Sequence, residues 1–91
     1  MATVFVSGHL KDYTGNKREF HISDAGTISD LILKLNGMFP GIQDRIFDEH
    51  DETRPFVNIF VNGENIREGE KERTKLKDKD TVHILPSVAG G

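Results

Sequence analysis

The stretch Thr81-Val82-His83-Ile84-Leu85-Pro86-Ser87-Val88-Ala89-Gly90-Gly91 contains two kinds of chain. Its first five residues alternate with a period of two, the pattern of a half-buried strand. Pro86 cannot donate a ladder hydrogen bond and so closes that strand, after which small residues leave little to pack. At ~3.3 Å per residue, the segment from Pro86 to Gly91 reaches roughly 20 Å from a folded body. Glycine has no Cβ, so a Gly-Gly end fits a channel too narrow for any other residue. A frayed terminus is the plainer alternative. The expectation is a folded domain over residues 1–85 and a flexible tail over 86–91.

The whole chain has 91 residues, enough for one core and too few for a core plus a deep enclosed cleft. Its net charge is -3 with acids and bases interspersed, so no basic stripe offers itself to a phosphate backbone. Nucleic acid is therefore not an expected partner. The start, Met1-Ala2-Thr3-Val4, lacks a basic region followed by an apolar one, and no stretch approaches the ~20 apolar residues that span a bilayer. A cytoplasmic protein without a membrane partner is expected. The sequence has no cysteine. Disulfides, thiolate metal sites and a cysteine nucleophile are all excluded, and any sulfur chemistry must use another group.

Upstream of the final strand, Thr3 to Ser7 alternates with Val4 and Val6 on one face, and Lys17 to Ile22 alternates with Phe20 and Ile22 on one face. Gly8 and Tyr13-Thr14-Gly15-Asn16 supply turn chemistry between them, which predicts a β-hairpin with Leu10 under its loop. Thr27-Ile28-Ser29-Asp30 then offers a hydroxyl cap with an acid three residues on, and Ile28, Leu31, Ile32 and Leu35 recur at helical spacing. Asn36-Gly37 reads as the stop of this helix and Met38-Phe39 as a buried exit before the Pro40-Gly41 turn. A further helical turn over Ile42–Phe47 places Ile46 and Phe47 at the core edge.

Asp48-Glu49-His50-Asp51-Glu52 reads as a solvated loop rather than a metal site, because contiguous acids do not converge in space. His9, His21 and His83 stand at spacings unsuited to ligation. Phe56 to Val61 is the strongest strand, Asn62-Gly63 a tight turn, and Asn65-Ile66-Arg67 a short return strand. Residues 68–75 are polar without period and read as a surface loop anchored by Leu76, and Lys77-Asp78-Lys79-Asp80 turns the chain into the last strand.

The order is hairpin, helix, strand, short strand, loop, strand. A right-handed crossover through the helix makes the first and last strands parallel neighbours. That arrangement is an α+β, ubiquitin-like β-grasp: a mixed sheet with one main helix on one face.

A domain of this order and length ending Leu85-Pro86-Ser87-Val88-Ala89-Gly90-Gly91 resembles the MoaD/ThiS-type ubiquitin-like sulfur carriers. The Phe56–Asn62 strand, the Leu76–Val82 turn and the Ile84–Gly91 end carry the likeness. The longer loop before Phe56 and the ending from Ile84 are most similar to carriers that feed a cysteine synthase. The acids and histidines form no recognisable catalytic pair and no Gly-rich phosphate loop stands near a strand end, so a protein that is not an enzyme and binds no metal or cofactor itself is expected. The resemblance implies an E1-like partner that uses ATP and magnesium to join the Gly91 carboxylate to AMP, and a sulfur nucleophile that converts the adenylate to a thiocarboxylate. A sulfur-accepting biosynthetic enzyme of cysteine synthase type and a metalloprotease that releases product are the other implied partners. Because the chain ends on Gly91, no prior trimming is expected.

In this reading Gly90 and Gly91 pass the activation channel, and Pro86, Ser87, Val88 and Ala89 form its approach. Strand alternation puts Phe5, Phe60, His83 and Leu85 on the face opposite the helix, an apolar patch suited to docking a partner. Two other readings use the same residues. A protein modifier would pass activated Gly91 to a lysine amine, and a β-grasp interaction module would carry an inert tail. Molybdopterin, thiamin and other thio-metabolites remain alternative destinations for the sulfur.

Overall fold

The computed structural model describes residues 1–86, so the expected roles of Ser87, Val88, Ala89, Gly90 and Gly91 fall outside the described residues. Alternating apolar residues build the centre of the sheet. In β1 (Ala2–Val6) the side chains of Ala2, Val4 and Val6 are buried, and in β5 (Thr81–Pro86) those of Val82 and Ile84. These two strands run parallel, with Val4 opposite Val82 and Val6 opposite Ile84. β2 (Glu19–Ile22) flanks β1, and β3 (Val57–Val61) flanks β5, both antiparallel. The two-residue β4 (Glu64–Asn65) completes the order β2-β1-β5-β3-β4. Strand residues that share a row share a face, so one register fixes the whole core side: Val6, Ile84 and Ile59 form one row, and Val4, Val82 and Val61 the next.

Helix α1 (Ile28–Met38) covers that face. Thr27 is extended and its Oγ1 accepts the Asp30 N–H at 3.2 Å, satisfying one of the orphan donors of the first turn. Ile28, Leu31, Ile32 and Leu35 are fully buried. Burial of side chains of this size stabilises by about 1.5–3 kcal/mol each, so this stripe is what holds helix to sheet.

The helix does not end at Asn36-Gly37. It runs on to Met38, and the Phe39 N–H still bonds the Leu35 carbonyl at 2.9 Å. The reversal occurs instead at Gly41, with φ at 99°. Asn36 acts on the next element: its Oδ1 accepts the N–H groups of Gly41 and Gln43, both at 3.1 Å, at the start of α2 (Ile42–Ile46). Of the expected buried exit only Phe39 packs on the core, partly buried with its ring 4.9 Å from that of Phe20, whereas Met38 is exposed. Ile42, Ile46 and Phe47 are buried at the core edge.

The connections bear out the expected hairpin with Leu10 under its loop and differ from expectation at two places. The β1–β2 link is a 3-10 turn over Gly8–Tyr13 with Leu10 fully buried beneath it. The return strand stops at Asn65, because Ile66 turns into the core and carries Arg67 with it into a 3-10 turn. Finally, β5 extends through Pro86, opposite Val57, one residue beyond the expected domain end at 85. A proline is compatible with the last strand position because the ladder asks for no donor beyond it.

The polar segment 68–75 is more structured than its composition suggests. It contains a 3-10 turn, Lys71–Arg73, and half-buried Glu72 accepts both the N–H and the Oγ1–H of Thr53 at 2.7 Å. Ser29 Oγ donates to the Glu72 carbonyl at 3.2 Å, tying this segment to the first turn of α1.

Candidate functional site

The face of the sheet away from α1 carries one continuous cross-strand row. Glu19, Phe5, His83, Phe60 and Asn65 lie opposite one another on β2, β1, β5, β3 and β4. Phe5 and His83 stack with ring centroids 4.8 Å apart and planes 20° apart, an offset geometry that favours aromatic pairs. Phe5, His83 and Phe60 are each half-buried, and Leu85, one step nearer the tail on the same face, is exposed. The structure therefore gathers all four residues that alternation assigned to this face. A groove of about 540 Å³ runs beside them, lined by Phe5, Ser7, Arg18, Glu19, His83 and Leu85. Glu19 sits 3.4 Å from His21 Nε2 at the outer edge.

On the β3 side the row is bordered by a polar clamp that sequence reading did not find. Asn58, opposite Leu85, accepts the Arg67 Nη1–H through Oδ1 at 2.6 Å. Arg67 Nη2 donates to the Arg54 carbonyl at 2.7 Å, and the Arg67 N–H donates to Asn65 Oδ1 at 2.9 Å. These acceptors are neutral. The guanidinium is thus fixed in place without a carboxylate partner among the described residues. Only the short reach of β4, invisible in the pattern of Asn65-Ile66-Arg67, brings it there.

Where the tail leaves, Pro86 lies against Gly8. Gly8 has φ at +61° and packs so close that a Cβ there would stand 3.0 Å from Pro86 Cγ. Phe56, the residue before β3, is exposed beside this end of the sheet. The sequence marks Gly8 as a turn residue but contains no signal that it faces the final strand, because that contact depends on the parallel β1–β5 pairing.

The acidic loop closes on itself. Asp48 Oδ1 accepts the N–H groups of His50 at 2.8 Å and Glu52 at 3.1 Å, and these bonds hold its carboxyl below the usual carboxylate range. Among the described residues no three histidine or acidic side chains converge as metal ligands, and no helix is long and apolar enough to cross a membrane.

The family model described as the ThiS family matches residues 4–91. The chain belongs to the ThiS family. This ThiS-family chain is 35% identical over 91 residues to the sulfur carrier protein CysO of Mycobacterium tuberculosis, covering 98% of this chain and 97% of that one. In structure it is similar to a chain of the BexX/CysO complex of Amycolatopsis orientalis, with a TM-score of 0.90, 31% identity and full coverage of both chains. It is also similar to small archaeal modifier protein 1 of Methanosarcina acetivorans, with a TM-score of 0.83, 33% identity, and coverage of 99% of this chain and 95% of that one. The ThiS-family chain is accordingly a β-grasp, ubiquitin-like carrier rather than an enzyme.

Proposed function

We propose that this chain carries sulfur on its C-terminal carbonyl carbon as a thiocarboxylate. The supporting observation is the joining of a β-grasp sheet, through β5, to a Ser-Val-Ala-Gly-Gly end in a chain that has no cysteine. No side chain offers a thiolate, which supports placing the sulfur on the backbone terminus.

A carboxylate is a poor electrophile because its charge is shared by two oxygens. An E1-like enzyme holding ATP and magnesium overcomes this: a Gly91 carboxylate oxygen attacks the α-phosphorus, and pyrophosphate leaves. In the resulting acyl adenylate a hydrosulfide ion supplied by a sulfur donor attacks the carbonyl carbon, the C–O bond to AMP breaks, AMP and the S–H proton leave, and the thiocarboxylate remains. The carrier supplies position rather than chemistry. Gly90 and Gly91 pass the channel, Pro86 to Ala89 form the approach, and the face around Phe5, Phe60, His83 and Leu85 docks the partner.

Likeness to CysO favours a cysteine-forming acceptor enzyme, in the cytoplasm, as the destination of the sulfur. Likeness to an archaeal modifier protein supports a second use of the same activated end, transfer to a lysine amine. Incubation with the adenylating enzyme of the same organism and ATP tests the shared step. Pyrophosphate release that depends on Gly91 is expected, and its absence would refute activation.

A further inference from the structure

The docking face is flanked by two cations on a chain whose net charge is -3. Arg18 lines the groove on the β2 side, beside Phe5 and Leu85, and is exposed. Arg67 stands on the β3 side, held by Asn58 and the Arg54 carbonyl. Neither arginine is paired with a carboxylate among the described residues. The neighbouring Arg54 differs, since its Nε donates to the Asp44 carbonyl and its charge acts on the Asp48 carboxyl. The one acid in the row, Glu19, faces His21.

A half-buried guanidinium fixed by neutral acceptors retains donors and a full charge for an outside carboxylate. Arg67 is such a charge, and Arg18, exposed in the groove, is a second cation without a carboxylate partner among the described residues. Cations on either side of an apolar row describe the complement of their target, an apolar surface with acids on its rim. We infer that Arg18 and Arg67 are the electrostatic rim of the interface with the E1-like activating enzyme, each meeting a carboxylate on that enzyme while Phe5, His83, Phe60 and Leu85 fill its apolar centre. This rests on the activation proposed above. The occupant is the activating enzyme because both arginines border the end of the sheet from which the tail must run into its channel. Rim charges act mainly on encounter rate and salt dependence, whereas the apolar centre governs how long the complex lasts.

The test is stopped-flow association of the carrier with its organism's own adenylating enzyme, across ionic strength, for wild type, Arg18→Gln, Arg67→Gln, Arg67→Lys and the double glutamine variant. The double variant is expected to associate on the order of tenfold more slowly at low salt, with a shallower salt dependence. The difference should vanish at ~1 M salt, where charges are screened beyond about 3 Å. Arg67→Lys, which keeps the charge and loses the fork, should recover most of the rate. Identical salt slopes for wild type and the double variant would overturn the inference. So would a loss of binding by Arg67→Gln that is independent of salt, which would make Arg67 a support for β3 only. Failure of wild type to elicit any pyrophosphate release would instead remove the activating enzyme as partner, and the activation proposal with it.

Discussion

Gly8 and Pro86 meet so closely that a β-carbon on Gly8 would lie 3.0 Å from Pro86 Cγ. The turn that follows β1 therefore forms one wall of the path by which β5 leaves the sheet, and the missing side chain of Gly8, whose φ of +61° also suits glycine, is what leaves that path open. Gly8→Ala should lower stability by about 1–2 kcal/mol, from the strained φ and the crowding together. Part of that loss should disappear in the Gly8→Ala/Pro86→Ala pair. A denaturant double-mutant cycle measures the coupling, and strict additivity would mean that the contact carries no energy.

If the row Phe5–His83–Phe60 docks the partner as proposed, binding and folding are separable there. Phe60 is half-buried on the outer face, while its neighbour Ile59 is fully buried on the inner one. Phe60→Ala should cost about 1 kcal/mol or less in stability and weaken partner binding. Ile59→Ala should cost about 2–5 kcal/mol. Thermal melts of the two variants side by side check the register, and a reversed order of the two losses would contradict it.

Glu72 makes the fold sensitive to acid. Partial burial pushes its carboxyl up, but the hydrogen bonds from Thr53 outweigh burial and leave it below the ordinary carboxylate range. A group depressed in the folded state stabilises above its unfolded pKa, and that contribution is lost as pH falls through the folded value. Glu72→Gln should therefore cost about 1 kcal/mol at neutral pH, a value already reduced by the group's partial exposure to water. Wild type and variant should converge in acid below the carboxylate range. Urea unfolding at several pH values reads this directly, and a difference independent of pH would assign the effect to shape rather than charge.

Most of the fold could be read from periodicity because two periods, two and 3.6, operate on separate stretches. Val4/Val6, Val57/Ile59 and Val82/Ile84 identify their strands, and Ile28, Leu31, Ile32 and Leu35 identify the helix. Alternation also placed Phe5, Phe60, His83 and Leu85 on one face, since a strand has only two. What could not be read is contact between residues distant in sequence. Gly8 against Pro86, Arg67 on Asn58 and Glu72 on Thr53 each join segments whose proximity is set by sheet order, and none leaves a local pattern. The stop at Asn36-Gly37 misled for a related reason: a good capping side chain can serve the helix that follows, as Asn36 does for α2.

The proposed passage of the Gly-Gly end through a narrow channel makes a separate prediction. Gly90→Trp should abolish ATP-dependent pyrophosphate release while leaving the circular dichroism spectrum and melting temperature of the domain unchanged. Wild-type turnover by this variant would count against passage of the Gly-Gly end through a channel.

In the proposed function Gly91 bears the sulfur. Intact mass of the protein isolated from its own cells under sulfur-replete growth, with the terminal peptide sequenced by fragmentation, addresses it most directly. A gain equal to replacing one oxygen by sulfur, located on Gly91, is the predicted result; an unmodified Gly91 in cells that contain the active adenylating enzyme would contradict it.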